Sequence, residues 1–137
     1  MRPTSRLTAC VVLALVPLGC GEQRPTLTPV RGTVYFRGAP LHGGTIVFTP
    51  DAERGGHGPL ACARIGPDGA YTLKTGSEDG AVPGWHRVTI KALPPAEGAP
   101  APPPDAVLPA RYSDPELSGQ SREVKGDAPN VFDLHLD

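Results

Sequence analysis

From Val30 onward, glycine, proline and aspartate divide this chain into short segments rich in Val, Ile, Thr, Tyr and Phe. Glycine and proline are turn residues, because glycine tolerates positive φ and proline fixes φ near the value that a turn requires. Segments of strand-forming residues between such turns favour β-strands. The pattern predicts no helix and seven strands, at residues 30–36, 44–50, 60–65, 70–74, 85–93, 121–125 and 130–136. Seven short strands separated by turns favour an all-β sandwich.

Residues 85–93 have the clearest strand pattern. The alternation predicts an inward face that holds His86, Val88, Ile90 and Ala92. The opposite face holds Trp85, Arg87, Thr89 and Lys91. Residues 66–69 read Gly-Pro-Asp-Gly, which predicts a β-hairpin between the strands at 60–65 and 70–74.

Residues 94–109 contain seven prolines in 16 residues. Proline has no N–H group and cannot donate to a sheet, so this segment is predicted to be an extended, polyproline-like loop. We interpret it as a solvent-exposed loop. The alternative is a ligand for an aromatic groove of a partner protein.

Residues 1–19 have the pattern of a signal peptide. Arg2 and Arg6 precede an apolar stretch of about ten residues, whereas a transmembrane helix needs ~20. The stretch runs into Leu18, Gly19 and Cys20, which resemble the lipobox of bacterial lipoproteins. That resemblance implies that Cys20 carries lipid, palmitate included, and becomes the new amino terminus.

Lipidation at Cys20 would make residues 20–29 a tether and residues 30–137 the folded domain. Pro17 departs from the lipobox pattern, because this position is usually a non-proline apolar residue. The first alternative is therefore an ordinary signal peptide that leaves Cys20 as a free thiol. A cytoplasmic protein is the third interpretation.

The remaining cysteine and the net charge restrict the function further. With Cys10 removed and Cys20 lipidated, Cys62 has no partner for an internal disulfide. Its alanine neighbours in a strand-like segment predict a small buried residue, and a catalytic thiol is the weaker interpretation. Residues 1–19 hold two of the 13 basic residues and none of the 14 acidic ones, so the remainder carries a net charge of −3. No nucleic-acid partner is expected for a chain without a clustered basic face.

The order of several short motifs resembles the carboxypeptidase-regulatory-like domains. The motifs are Val30-x-Gly32-x-Val34, Gly38-x-Pro40-Leu41-x-Gly43, Ile46-x-Phe48-x-Pro50, Asp68-Gly69-x-Tyr71-x-Leu73 and Gly80-Ala81-x-Pro83-Gly84-x-His86-x-Val88. With Leu108-Pro109-x-Arg111-Tyr112-Ser113-Asp114 and Ser118, residues 28–137 are similar to small lipoproteins of planctomycete-type bacteria. The resemblance implies a transthyretin-like (prealbumin-like, Ig-like) sandwich of seven strands and an accessory role. It supplies no catalytic residues.

Few residue patterns indicate chemistry. The four histidines, at positions 42, 57, 86 and 135, have no spacing typical of metal ligands. The acidic pairs Glu78-Asp79 and Asp114-x-Glu116 offer fewer oxygens than calcium requires. Ser113 and Ser118 lack the strand–turn–helix setting of a serine nucleophile. We therefore expect no catalytic residue, metal or cofactor.

Two functional hypotheses follow. The first is a non-catalytic binding or structural accessory module of the cell envelope, membrane-anchored through Cys20 at the periplasmic or outer surface. Its partner would be an envelope protein or polysaccharide. The second is a carbohydrate-binding module of envelope or uptake machinery, with Trp85 and Tyr112 as contacts. We favour packing at a sheet edge or under the proline-rich loop as the role of Trp85.

Overall fold

The computed structural model describes residues 21, 23–102 and 106–137, so the predicted signal peptide and Cys20 lie outside the described residues. The fold is all-β, as predicted. The strands are β1 Val30–Phe36, β2 Ala39–Pro40, β3 Gly44–Pro50, β4 Ala61–Ile65, β5 Ala70–Thr72, β6 Lys74–Thr75, β7 Glu78–Asp79, β8 Gly84–Lys91, β9 Ser121–Val124, β10 Asn130–Val131 and β11 Leu134–Leu136. Two short 3-10 helices span Ala52–Arg54 and Ala110–Ser113.

The strands form two sheets. In the first sheet β1 is central, with β10 and β11 parallel to it on one side and β2 and β5 antiparallel on the other. The second sheet is antiparallel, in the order β7-β6-β4-β3-β8-β9. All seven predicted strands overlap observed ones, although the observed strands form eleven shorter segments.

The hairpin predicted around residues 66–69 is confirmed only in part. The turn is present, and Gly69 has the positive φ of 80° that a turn residue in this position needs. However, β4 pairs with β3, whereas β5 pairs with β1 in the other sheet. The two segments meet again only where Cys62 lies opposite Lys74 of β6. The chain therefore crosses from one sheet to the other within this region.

Gly32 lies at a close approach between β1, the Tyr71 side chain and the backbone of Phe132. Tyr71 lies opposite Gly32, and its hydroxyl donates a hydrogen bond of 2.7 Å to the carbonyl oxygen of Phe132. A Cβ atom at position 32 would lie 1.9 Å from that same oxygen. Only glycine leaves room for this close approach of β1, β5 and the chain before β11.

The hydrophobic core lies between the two sheets. Val30 and Val34 of β1 face Ile46 and Phe48 of β3, and all four are buried. The inward face predicted for the strand at 85–93 is confirmed for His86, Val88 and Ile90, which are buried with them. The prediction is wrong for Ala92, which is exposed because β8 ends at Lys91, and for Thr89, which is buried. The sheets meet at aromatic contacts, since the ring of Phe48 lies 6.4 Å from that of Tyr71 and 6.1 Å from that of Phe132.

The packed domain begins before the first strand. Thr28 is buried and exchanges two backbone hydrogen bonds with Ala81, of 2.9 and 3.0 Å, so the packed domain begins two residues before β1.

The proline-rich segment contributes no strand in its described part, residues 94–102 and 106–109, as predicted. No helix among the described residues is both long enough and apolar enough to cross a membrane.

Candidate functional site

An apolar groove of about 750 Å³ opens at one end of the sandwich. One wall comes from the end of β1 and the turn after it, and another from the end of β8 and the residue pair that follows it. The proline-rich segment and the start of the second 3-10 helix complete the lining. Its large apolar side chains are Phe36, Leu41, Ile90, Leu93, Val107 and Leu108.

The groove combines an apolar floor with a basic rim. Leu93 and Val107 are exposed, whereas Phe36, Leu41 and Leu108 pack against the core. Arg37 and Lys91 are the charged side chains among the described lining residues, and none of those residues is acidic. A cavity of this size, with mostly apolar walls and few polar groups, is typical of a small-molecule site.

A second, smaller site is a polar cleft of about 370 Å³ centred on Arg87. The Arg87 guanidinium contacts Asp51 at 3.3 Å and Glu116 at 3.2 Å, and also pairs with Glu53. The charge of Asp51 is the main cause that raises the pKa of Arg87. Asp51 is itself buried and accepts the backbone N–H of Glu53 at 3.2 Å, which starts the first 3-10 helix. The ion pairs therefore organise a loop as well as the cleft.

Trp85 lies beside the polar cleft but does not present a free ring face there. Its backbone carbonyl accepts the N–H of Asp51 at 2.8 Å. The guanidinium of Arg54 lies 4.6 Å from the centre of the Trp85 ring, and Arg54 also donates to the Ser121 hydroxyl at 3.3 Å. Trp85 is half-buried and lies in β8, between β3 and β9, rather than at the sheet edge that the sequence favoured.

Tyr112 has a structural environment that does not suit its predicted ligand contact. It is only 2 % exposed and belongs to the core. Its hydroxyl accepts hydrogen bonds from Arg111 at 2.9 Å and from the backbone N–H of Asp137 at 3.1 Å. The hydrogen bond that Arg111 donates to the Tyr112 hydroxyl is the main cause that raises the pKa of Arg111. A side chain packed in this way fastens the second 3-10 helix to the end of β11 and offers no face to a sugar ring.

The four histidine side chains are not grouped at one site. His42, His57 and His135 are exposed, and the His42 Nδ1–H donates to the carbonyl of Pro67 at 2.7 Å. His86 is fully buried, where its Nδ1–H donates to the Gly84 carbonyl at 2.9 Å and its Nε2 has no partner. Burial lowers the pKa of His86. Within the described part of the chain, no three His, Cys, Asp or Glu side chains are grouped as a metal site would require.

The acidic pairs and Cys62 occupy the surface. Glu78 and Asp79 pair with Arg24 and Lys74 at 3.6 and 3.4 Å. Asp114 accepts the backbone N–H groups of Glu116 and Leu117, at 2.8 and 3.2 Å. The prediction that Cys62 is buried is wrong, because it lies on the solvent face of β4. Its alanine neighbours are the residues that turn inward.

Neither the apolar groove nor the polar cleft was predicted from the sequence. Asp51, Arg87 and Glu116 come from three separate segments, and no spacing connects them. The groove had a weak signal, since Leu93 directly before the proline-rich segment and Val107 within it are large apolar residues. Comparison with protein-family models, with curated proteins and with solved structures finds no match for this chain.

Proposed function

We propose that this chain is a non-catalytic lipoprotein of the bacterial cell envelope, anchored through lipid at Cys20, that binds a partner in its apolar groove. The groove is the observation that carries the binding role, because its volume of about 750 Å³ and its exposed Leu93 leave apolar surface for a ligand. The signal-peptide pattern of residues 1–19 supports export and the anchor. The carboxylates of the polar cleft pair with Arg87, which supports a structural role for them.

The same proposal includes a transthyretin-like topology of seven strands, similar to the carboxypeptidase-regulatory-like domains. The eleven observed segments support it if β5 and β6 count as one strand that changes sheets, and β10 and β11 as another. The remaining two-residue segments, β2 and β7, are then extensions at the edges of the sheets.

Acylation tests the anchor. Cells that produce the wild-type chain or the Cys20→Ala variant are supplied with labelled palmitate, and their membrane fractions are compared. We expect label and membrane association in the wild type and neither in Cys20→Ala. The exposed Cys62 provides the matched control, since Cys62→Ala should be labelled like the wild type. A Cys20→Ala chain that remains labelled or membrane-bound would contradict the proposal.

Site-specific crosslinking in intact cells tests the binding role. A photoreactive residue is placed at Leu93 in the groove or at Leu117 outside it, because the two side chains are similarly exposed, 56 % and 65 %. We expect an adduct from position 93 only. Recovery of the uncrosslinked monomer from both variants would contradict a groove ligand.

A carbohydrate-binding module remains the second candidate, supported by the polar cleft beside Trp85. Gln120 and Ser121 join the charged groups there, and such side chains form hydrogen bonds with hydroxyl groups. Titration with envelope polysaccharides should then shift the fluorescence of Trp85, and Glu116→Gln should weaken the response while Glu97→Gln leaves it unchanged. Constant emission with every glycan would exclude this candidate.

A further inference from the structure

We propose that the apolar groove binds a free, single-chain anionic amphiphile, such as a long-chain carboxylate. This inference deepens the proposed function and rests on its groove, but it does not depend on the anchor. Its basis is the combination of apolar walls, a basic rim and five prolines in the lining, which have no backbone N–H.

The rim determines the charge of the ligand. Arg37 and Lys91 are exposed, and neither forms an ion pair with any other described residue. The guanidinium of Arg37 lies 5.5 Å from the ring centre of Phe36, which places it directly above an apolar wall. Two cations at the edge of an apolar cavity attract an anionic head group and disfavour a cationic one.

The residues that line the groove determine whether the apolar part of the ligand is a hydrocarbon chain or a peptide. Pro40, Pro95, Pro100, Pro102 and Pro109 all line the groove. Because proline has no N–H, these residues cannot donate to the carbonyl groups of a bound peptide, whose unpaired polar atoms would be costly to bury. An alkyl chain has no such atoms. The walls therefore favour a hydrocarbon tail over a peptide backbone.

Calorimetric titration with dodecanoate, below its critical micelle concentration, tests the proposal. The protein is the mature chain, residues 20–137 with Cys20→Ala, produced in the cytoplasm without the signal peptide, so that it carries no acyl chain of its own. We expect saturable binding of one dodecanoate. Decanoate should bind about tenfold more weakly, because it buries two fewer methylene groups. Dodecyltrimethylammonium, with the same tail and a positive head group, should bind about tenfold more weakly than dodecanoate.

Variants with matched controls assign the binding to the groove. Leu93→Asp should abolish dodecanoate binding, whereas Leu117→Asp should leave it unchanged, since Leu117 is equally exposed but lies outside the groove. Lys91→Glu should weaken binding severalfold, and Lys125→Glu should not. Because all four residues are exposed, unchanged melting temperatures would confirm that the variants are folded.

Several results would overturn this inference. They are the absence of dodecanoate binding, equal affinity for both head groups, and unchanged binding by Leu93→Asp. Binding only to phosphatidylglycerol vesicles would assign the groove to a membrane surface. Dimerisation that Leu93→Asp abolishes would assign it to a second copy of the chain. Palmitate labelling at Cys20 is measured independently, so a failed anchor and a failed groove ligand are distinguishable.

Discussion

His86 is a titratable side chain held inside the core. The Gly84 carbonyl fixes the proton on Nδ1, and Nε2 is buried without a partner. The centre of the His86 ring lies 5.9 Å from that of the Phe48 ring. Protonation of Nε2 would place an unpaired donor and a charge in an apolar environment. Burial accordingly lowers the pKa of His86 below its ordinary value.

Acid should therefore destabilise the domain through His86. The unfolded chain protonates this side chain near pH 6.5, whereas the folded chain does so only at lower pH. The unfolded state thus binds more protons below about pH 6.5, and the free energy of unfolding falls as the pH drops through this range, by at most about 1.4 kcal/mol per pH unit for one proton. Urea unfolding between pH 5 and 8 measures the slope. His86→Leu should flatten it, and the exposed control His57→Asn should not; equal slopes in all three proteins would contradict the prediction.

Gly32 is a second residue whose environment has a testable consequence. A methyl group there would collide with the Phe132 carbonyl oxygen and lie 2.9 Å from the Tyr71 hydroxyl. Gly32→Ala should therefore lower the free energy of unfolding by about 2–3 kcal/mol, because β1 must shift and the bond from Tyr71 is weakened. Gly21→Ala, with no atom within 4 Å of the new Cβ, is the control in the same urea titration. Equal stability of the two variants would disprove the close approach.

The sequence predicted the burial or backbone conformation of single residues correctly where strand alternation or the conformational freedom of glycine determines it. The turn at residues 66–69 was predicted from its glycines and proline, and Gly69 has the positive φ that the turn needs. Cys62 was assigned the wrong face because its neighbours are both alanine, so no contrast of hydropathy indicates which side is inward. Tyr112 lies in a 3-10 helix, where the period-two rule for strands carries no information about burial.

At the level of elements, long alternating strands were predictable and short ones were not. β1, β3 and β8 have seven or eight residues each, enough for a clear pattern. β2 and β7 have two residues each and form only because a neighbouring strand supplies their hydrogen bonds. Pairing between segments distant in sequence leaves no local signal, which is why the division of residues 60–74 between two sheets was missed.

The second 3-10 helix and β11 are joined through Tyr112. Tyr112→Phe removes the acceptor for the Asp137 N–H and for Arg111, so it should lower the free energy of unfolding by about 1–2 kcal/mol. Tyr35→Phe is the matched control, because the Tyr35 ring keeps its stacking on the exposed His135 at 4.8 Å. Hydrogen exchange should report faster opening of β11 in Tyr112→Phe alone. Identical exchange in both variants would show that the hydroxyl does not fasten this strand.

For the whole molecule, the decisive contacts join the two ends of the domain. β1 pairs in parallel with β10 and β11, and the Thr33 N–H donates to Asp133, 100 residues later, at 2.9 Å. Such pairing closes a long loop and cannot be deduced from local composition. The apolar groove and the polar cleft are likewise lined by segments that are distant in sequence, so the sequence predicted an all-β sandwich but not where its binding surfaces lie.

The whole-molecule architecture predicts that the proline-rich segment is needed for ligand binding and not for folding. Its described residues make no strand and are largely exposed, whereas β10 and β11 complete the first sheet and contribute Leu134 and Leu136 to the core. Replacement of residues 95–107 by a Gly/Ser linker of equal length should shift the melting temperature by less than about 4 °C, the equivalent of roughly 1 kcal/mol. The same replacement should abolish dodecanoate binding, because one wall of the groove is lost. Deletion of residues 130–137 should instead unfold the domain, as measured by circular dichroism. A cooperative transition in the truncated chain, or dodecanoate binding by the linker variant, would contradict this division between scaffold and binding wall.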